Sequence, residues 1–432
     1  MLLTALGQDC KENFLGSKTL YKAHDFRTPA PAHYSPVFIN HVGRHGARHL
    51  TSDVNTSAVY RLLVTADSAG ALTTDGKLLE EKILRLEKVE KKNIKSISVE
   101  GKAEQQGLAV RMYAGNQTVF NSVQPVINID YTKEIRTLQT SEAFLNELRA
   151  KINEPAVTRQ INDTTLRFYD LSPAYLDFKQ NGPWIKTLQQ IKKKLGYPQL
   201  AMKISQRFFT PNWLAHLTEK DQDDFVSGIF GFIAIFYSIQ KEIAVAGYKS
   251  TELDMQSFLT CAQLSVLSTI DNAEDFLEKG PGTDVNDIQV TVAVPLLADF
   301  IKTTDAFIRT KTVQANLRFS HAETIAPFAA LLSFTTASVA VKNTTRIHQV
   351  WNADKVIPLS ANIQWILYQK KGTENYLVKF LLNEKEVAVK GLATKTFPYY
   401  NWNVVRQFYS KKMEQLHLRP GQDYFDYLQR LK

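Results

Sequence analysis

The sequence predicts an α/β fold, a central, mostly parallel sheet flanked by helices and carrying an inserted, mainly helical domain. Three observations lead there. Short β-branched and aromatic runs at 36–42, 126–131 and 316–319 are each followed by loops that lead towards helical patterns. The stretch from about Lys151 to Lys279 holds helical apolar spacing with little strand signal. The last hundred residues then return to strands. The expected units are a first part of the α/β core at 1–145, the helical insert at 146–285, and the second part of the core at 286–432.

Taken in order, Asp25 to Pro36 is rich in proline and alanine and reads as an extended lead-in. Pro36–Val42 follows as a short strand ended by Gly43. From Asp75 to Lys92, Leu79, Ile83, Leu86 and Val89 keep helical spacing, with Thr74 or Asp75 as the cap. Val126–Tyr131 is a second strand, followed by a polar loop and the amphipathic run SEAFLNELRAKI. Within the helical stretch, Phe225–Ile239 is an uncharged apolar run of 15 residues. It is shorter than the roughly 20 residues a bilayer span requires, so it reads as a buried core helix and the chain as lacking a membrane span. Gly280-Pro281-Gly282 ends this region. A helix around Val290–Phe307, a strand at Asn316–Phe319 and a helix from Ala322 come next. WILYQK and YLVKFLLN, separated by KGTEN, form a hairpin candidate.

The chain has 432 residues, 44% hydrophobic and 22% charged, which excludes a disordered tail protein, a collagen-like fibre and a disulfide-stapled mini-protein. Its 52 Lys and Arg exceed 43 Asp and Glu by nine. That surplus favours anionic partners; a basic surface that only keeps the chain soluble is the competing reading. Two cysteines, Cys10 and Cys261, fit no zinc spacing. Cys261, in the apolar run FLTCAQLSVLS, reads as a buried, inert thiol, which leaves the redox compartment open. The opening MLLTALGQDC lacks the basic residues and full apolar core of an intact signal peptide, and reads at most as the stump of a trimmed one.

The chemistry concentrates in three segments, each placed after a candidate strand. In Gly43-Arg44-His45-Gly46-Ala47-Arg48-His49 two arginines flank a histidine, and the glycines permit a tight turn. Guanidinium groups bind phosphate oxygens bidentately, and a following helix would add free N–H groups. Between those arginines the His45 imidazole stays unprotonated, as a nucleophile requires. The alternatives are a basic loop that binds anions without reaction and a satisfied core histidine. In Arg318-Phe319-Ser320-His321-Ala322-Glu323 a histidine and a carboxyl face one cleft, one to hold a phosphate oxygen and the other to protonate a leaving alkoxide. The alternative for Glu323 is a place in a helix first turn, where its charge only complements the dipole. In Thr132-Lys133-Glu134-Ile135-Arg136, Arg136 alone reads as a surface charge; its interest lies in its company.

Together these segments resemble the histidine acid phosphatase superfamily, and within it the multiple inositol polyphosphate phosphatase branch, which has His-Ala-Glu where other members have His-Asp. RHGARHL resembles the family's RHGxRxP, with Leu50 where proline is common. FSHAETIAPFAALL is similar to the branch's acid-donor segment, and TKEIRTLQTSEAFLNEL to the one supplying a third phosphate-binding arginine. CKENFLGSKTLY, LEKGPG and IPLSANIQWILY…LLNE add weaker likenesses. The resemblance implies a histidine phosphatase-like fold whose helical domain covers the cleft. It implies His45 as nucleophile, Glu323 as proton donor, and Arg44, Arg48, Arg136 and His321 as phosphate ligands. It further implies a phytase working through a phosphohistidine on inositol hexakisphosphate and similar small anions, with no metal or other cofactor and no nucleic-acid partner. A monomer on a secreted or periplasmic route is expected. The alternatives are a broad acid phosphatase or a bisphosphoglycerate phosphatase of the same superfamily, and a non-catalytic polyanion binder. Lys179, Lys203 and Arg207 are candidate accessory phosphate sites, against a solvated role for each.

Overall fold

The computed structural model describes residues 14–24 and 27–431; the possible signal stump and Cys10 lie outside them. Eight strands form one mixed sheet. They are β1 (Tyr34–Arg44), β2 (Val126–Tyr131), β3 (Ala156–Ile161), β4 (Ala315–Ser320), β5 (Asn362–Lys370), β6 (Tyr376–Leu382), β7 (Lys385–Glu386) and β8 (Tyr399–Asn401). The order is β3-β2-β4-β1-β5-β6-β7, with β8 also on β6. The β3, β2, β4 and β1 block is parallel, while β5 to β8 pair antiparallel. The expected hairpin is the β5–β6 pair.

β1 alternates its core contacts as a strand buried on both faces should. Ile39 packs on one side with Leu108, Met112, Phe144 and Leu148, from the helices Val99–Gly115 and Ile135–Arg149. On the other side Phe38 stacks on Phe307 of the helix Val294–Thr310, and Asn40 donates to Thr304 Oγ1 at 2.9 Å. Both faces are thus covered, which forces the ends of these strands to carry the solvent-facing chemistry.

β3 falls inside the span read as helical. Its Thr158–Ile161 are exposed on the sheet edge, so polar residues replace the alternation by which strands are found. Thr73, one residue before the expected cap, accepts from Gly76 N–H and starts the helix Thr74–Glu90. The apolar run after Asp224 also extends further than its uncharged stretch. Helical residues Glu219–Val245 are long and apolar enough to cross a membrane by length and composition, yet 56% of the window is buried in the protein. Phe225, Val226, Ile229 and Ile233 each lie at or near zero exposure, as in a core helix. Its start is fixed by a capping box between Thr218 and Asp221.

Cys261 corrects an expectation. It is disulfide-bonded and only half-buried, at the first turn of the helix Cys261–Glu278, where one side still faces outward. The apolar run around it is a helix face, with Leu264 and Leu267 inward.

Candidate active site

The parallel block delivers the site. β1 and β2 both flank β4, with Arg44 opposite Ser320 and Tyr131 opposite Phe319. His45, His321 and Thr132, the next residue on each strand, therefore emerge side by side at the carboxyl edge. Open α/β sheets gather ligands at that edge.

The loop after β1 does not enter a helix, contrary to expectation; the next α-helix begins at Ala58. The loop is instead pressed onto the start of Val99–Gly115. A Cβ on Gly101 would lie 2.0 Å from the Ala47 carbonyl oxygen, and one on Gly46 would lie 2.5 Å from that of Gly101. Only two glycines allow this approach. Glu104, buried beneath, accepts from Ala47 N–H at 2.8 Å, Tyr21 N–H at 2.8 Å and Ser360 Oγ at 2.6 Å. His45 is itself pinned, its N–H on Ser320 O and its carbonyl taken by Ser360 N–H.

His45 Nδ1 lies 2.9 Å from the Gly46 carbonyl oxygen, which can only accept, so Nδ1 carries the proton and Nε2 a lone pair. Burial holds the ring's proton affinity well below normal, and Arg44, Arg48, Arg136 and His321 lower it further. The sequence supplied the arginines; burial, the larger cause, came from the fold.

Arg44 is buried, its guanidinium donating to the carbonyls of Ser17 and, at 2.5 Å, Ile357. Arg48 donates to His49 O at 2.8 Å, and burial followed by Arg44 and Arg136 brings it down to about 10. Arg136 bonds Glu134 at 2.9 Å, while Arg167 braces the same carboxylate from its other oxygen. Each of Arg44, Arg48 and Arg136 keeps a buried Nε–H without a partner. Three such donors at one place fit an oxyanion, since buried polar groups are normally satisfied.

His321 makes a T-shaped contact with His45, ring centroids 5.6 Å apart. Arg136 donates to its Nδ1 at 3.2 Å, so the ring proton sits on Nε2, 3.0 Å from Thr132 Oγ1. Burial first and Arg136 second bring this ring down to about 3. His321 is therefore neutral, with its one N–H already given to Thr132. It can donate to a phosphate only after Arg136 leaves Nδ1.

Glu323 occupies the first turn of the helix Ala322–Leu331, its side chain 31% exposed and its Oε1 3.7 Å from Lys279 Nζ. It bears electrostatically on Arg44 and Arg48. The six residues singled out in the sequence thus share one edge of the sheet.

Sequence reasoning missed several neighbours. Thr132 and Thr137 (Oγ1 to Oγ1, 2.8 Å) lie within the TKEIRT segment that drew notice for its arginine. Tyr169, a buried ring edge-on to His321, had no signal in its sequence context. Lys279 lies in LEKGPG, a segment noticed without a role. His49 closes the first segment, where the sequence gives it no role. It is buried between two carboxylates, Nδ1 2.9 Å from Glu90 and Nε2 3.5 Å from Glu242. Of the accessory candidates, Lys179 reaches Glu278 at 3.2 Å, close to the site. Lys203 is exposed, and Arg207 is tied to Asp75 and the Phe258 carbonyl. Among the described residues no cluster of three or more His, Cys, Asp or Glu side chains is arranged to hold a metal ion.

Residues 38–383 match the sequence profile of the histidine phosphatase superfamily, branch 2. Solved structures with a similar fold include the multiple inositol polyphosphate phosphatase of Bifidobacterium longum in complex with inositol hexasulfate. The TM-score is 0.78 at 21% identity, over 90% of this chain and 95% of that one. The phytase of D. castellii gives 0.66 at 14% identity, over 96% and 87%. Hafnia alvei phytase, in complex with myo-inositol hexakis sulphate, gives 0.51 at 13% identity, over 90% and 100%. At these identities the likeness is one of fold. No curated protein sequence matches the chain significantly.

Proposed function

The chain belongs to branch 2 of the histidine phosphatase superfamily, and on that premise we propose that it hydrolyses inositol polyphosphates such as phytate through a phosphohistidine on His45. The observation that supports this most directly is the state of His45. Its Nδ1–H is spent on Gly46, and its free Nε2 stands among three arginines with unpartnered donors.

In the first step Nε2 attacks phosphorus in line and the bond to the ester oxygen breaks. The electron pair leaves with that oxygen, which takes a proton from Glu323. In the second step water attacks the phosphohistidine, Glu323 accepts the water's proton, and the nitrogen–phosphorus pair returns to His45. Phosphoryl transfer depends on positioning and charge stabilisation. Arg44, Arg48 and Arg136 provide both, each charge-assisted hydrogen bond contributing about 1.5–3 kcal/mol. His321 joins them once the phosphoryl group has drawn Arg136 from Nδ1 and the ring proton has passed from Nε2 to Nδ1, leaving Nε2 to accept from Thr132 Oγ1–H.

The substrate class is supported by the excess of nine basic residues and by the inositol hexasulfate bound in the Bifidobacterium relative. The division into a core at 1–145 and 286–432 with a helical cover at 146–285 belongs to the same reading, except that β3 joins the sheet. The disulfide at Cys261 supports an oxidising, secretory or periplasmic compartment.

The test is time-resolved separation of the products of phytate hydrolysis without added metal, with His45→Ala alongside. Stepwise loss of phosphate by the wild type is expected. The variant should bind phytate in calorimetry and turn none over. Residual hydrolysis by His45→Ala would refute the nucleophile. Equal turnover of small sugar phosphates and phytate would move the assignment to a broad acid phosphatase.

A further inference from the structure

Lys279 directly follows the helix Cys261–Glu278. Its ammonium group is shared among three carboxylates: Asp275 Oδ1 at 2.9 Å, Glu323 Oε1 at 3.7 Å and Glu278 Oε2 at 3.9 Å. The side chain is 12% exposed. Burial would raise the proton affinity of Glu323, but Lys279, followed by a backbone hydrogen bond and Arg44, outweighs it and holds the carboxyl well below its usual range. A donor kept ionised cannot protonate a leaving oxygen. Lys279 is no substitute donor, because the same carboxylates overcome burial and hold its proton more tightly than in an ordinary lysine. The cation must therefore be drawn off Glu323 when substrate binds. A polyphosphorylated substrate brings the means, a phosphate beside the one transferred.

We propose that Lys279 is a positioning residue for Glu323: it tethers the carboxylate in the free site and passes to a neighbouring, untransferred phosphate of the substrate, freeing Glu323 to carry the donor proton. The proposal rests on Glu323 being the donor. The proton enters from solvent as the ammonium changes partner, and leaves on the ester oxygen as the phosphorus–oxygen bond breaks. A monoester with one phosphate leaves the tether in place, so the site arms itself for substrates with adjacent phosphates.

The experiment compares pH profiles of kcat for phytate and glycerol 2-phosphate. Both have poor leaving groups, and kcat reports groups in the bound complex. In the wild type the alkaline limb for phytate should lie about 1 pH unit or more above that for glycerol 2-phosphate, the effect of an opposite charge at this range. Lys279→Met should raise the glycerol phosphate limb and close the gap; Lys279→Arg should keep it. Turnover of p-nitrophenyl phosphate, which needs little protonation, shows that each variant is folded. Coincident limbs in the wild type, or a gap unchanged in Lys279→Met, would overturn the proposal. Should Lys279→Met fail to turn over p-nitrophenyl phosphate, Asp275→Asn decides. Removing the nearest partner commits the ammonium to Glu323, so the glycerol phosphate limb should fall; an unmoved limb overturns the proposal. Failure of the donor reading is separate: Glu323→Gln would then leave both limbs where they were.

Discussion

Replacing His49 by glutamine should remove a stabilisation that exists only in acid and neutral solution. His49 lies between Glu90 and Glu242, with 3% of its side chain exposed. Burial alone would lower its proton affinity. The hydrogen bonds and charges of Glu242 and Glu90 override that and push it up to about 9 from 6.5. Since the folded value is raised, the contribution is complete below pH 6.5 and disappears as pH rises to about 9. At about 1.36 kcal/mol per pH unit it amounts to about 3 kcal/mol. An unfolding entropy of about 2.1 cal/mol/K per residue turns this into about 3 °C in Tm for a chain of this length. The assay is thermal unfolding of wild type and His49→Gln from pH 5 to pH 10. The Tm difference should be largest at pH 5–6 and shrink by about 3 °C through the window. A difference independent of pH would show that His49 is uncharged in the fold and refute the reasoning.

Glu323→Gln should slow phytate cleavage at least about 100-fold, within the range of general acid catalysis. It should slow p-nitrophenyl phosphate far less in the same assay, since that leaving group needs little help. Gly101→Ala places a methyl group 2.0 Å from the Ala47 carbonyl oxygen. It should lower stability by about 1–3 kcal/mol in denaturant unfolding and depress kcat by displacing the loop. Arg136→Ala removes the cation that most lowers His321 after burial. Histidine NMR should show that ring titrating higher than in the wild type, while KM for phytate rises.

The two histidine motifs were legible because they depend on local order. RHGAR and HAE place their functional side chains within a few residues of a strand end, and strand ends are readable from β-branched runs. The pairing β2-β4-β1 then makes distant segments adjacent. What stayed illegible was partnership across the fold. Lys279 stands 44 positions before Glu323 in the sequence, and Glu242 nearly two hundred after His49; neither pair has a spacing that announces it. Burial was equally invisible. Glu104 looks like any solvated helical glutamate in KAEQQ, yet it is buried and accepts three hydrogen bonds, one of them from Ala47 in the loop after β1. Exposure misled in the opposite direction at β3, whose polar residues are those of an edge strand.

Leu50 shows how such hidden partners can replace a motif residue. Proline at that position would stiffen the loop by fixing its own φ, but would have no N–H to give. Here Leu50 N–H donates to Glu90 Oε2 at 2.8 Å, while His49 Nδ1 meets Oε1 of the same carboxylate at 2.9 Å. One buried carboxylate thus grips two successive residues. Glu242 extends the grip, holding His49 Nε2 on one side and Val99 N–H at 2.7 Å on the other. Arg48, immediately before this clamp, donates to the His49 carbonyl, so its guanidinium is aimed by the same anchor. The rigidity that proline would provide within the loop is supplied here from outside it, by the helices Thr74–Glu90 and Gln240–Val245. That arrangement couples the loop after β1 to the helices that carry Glu90 and Glu242.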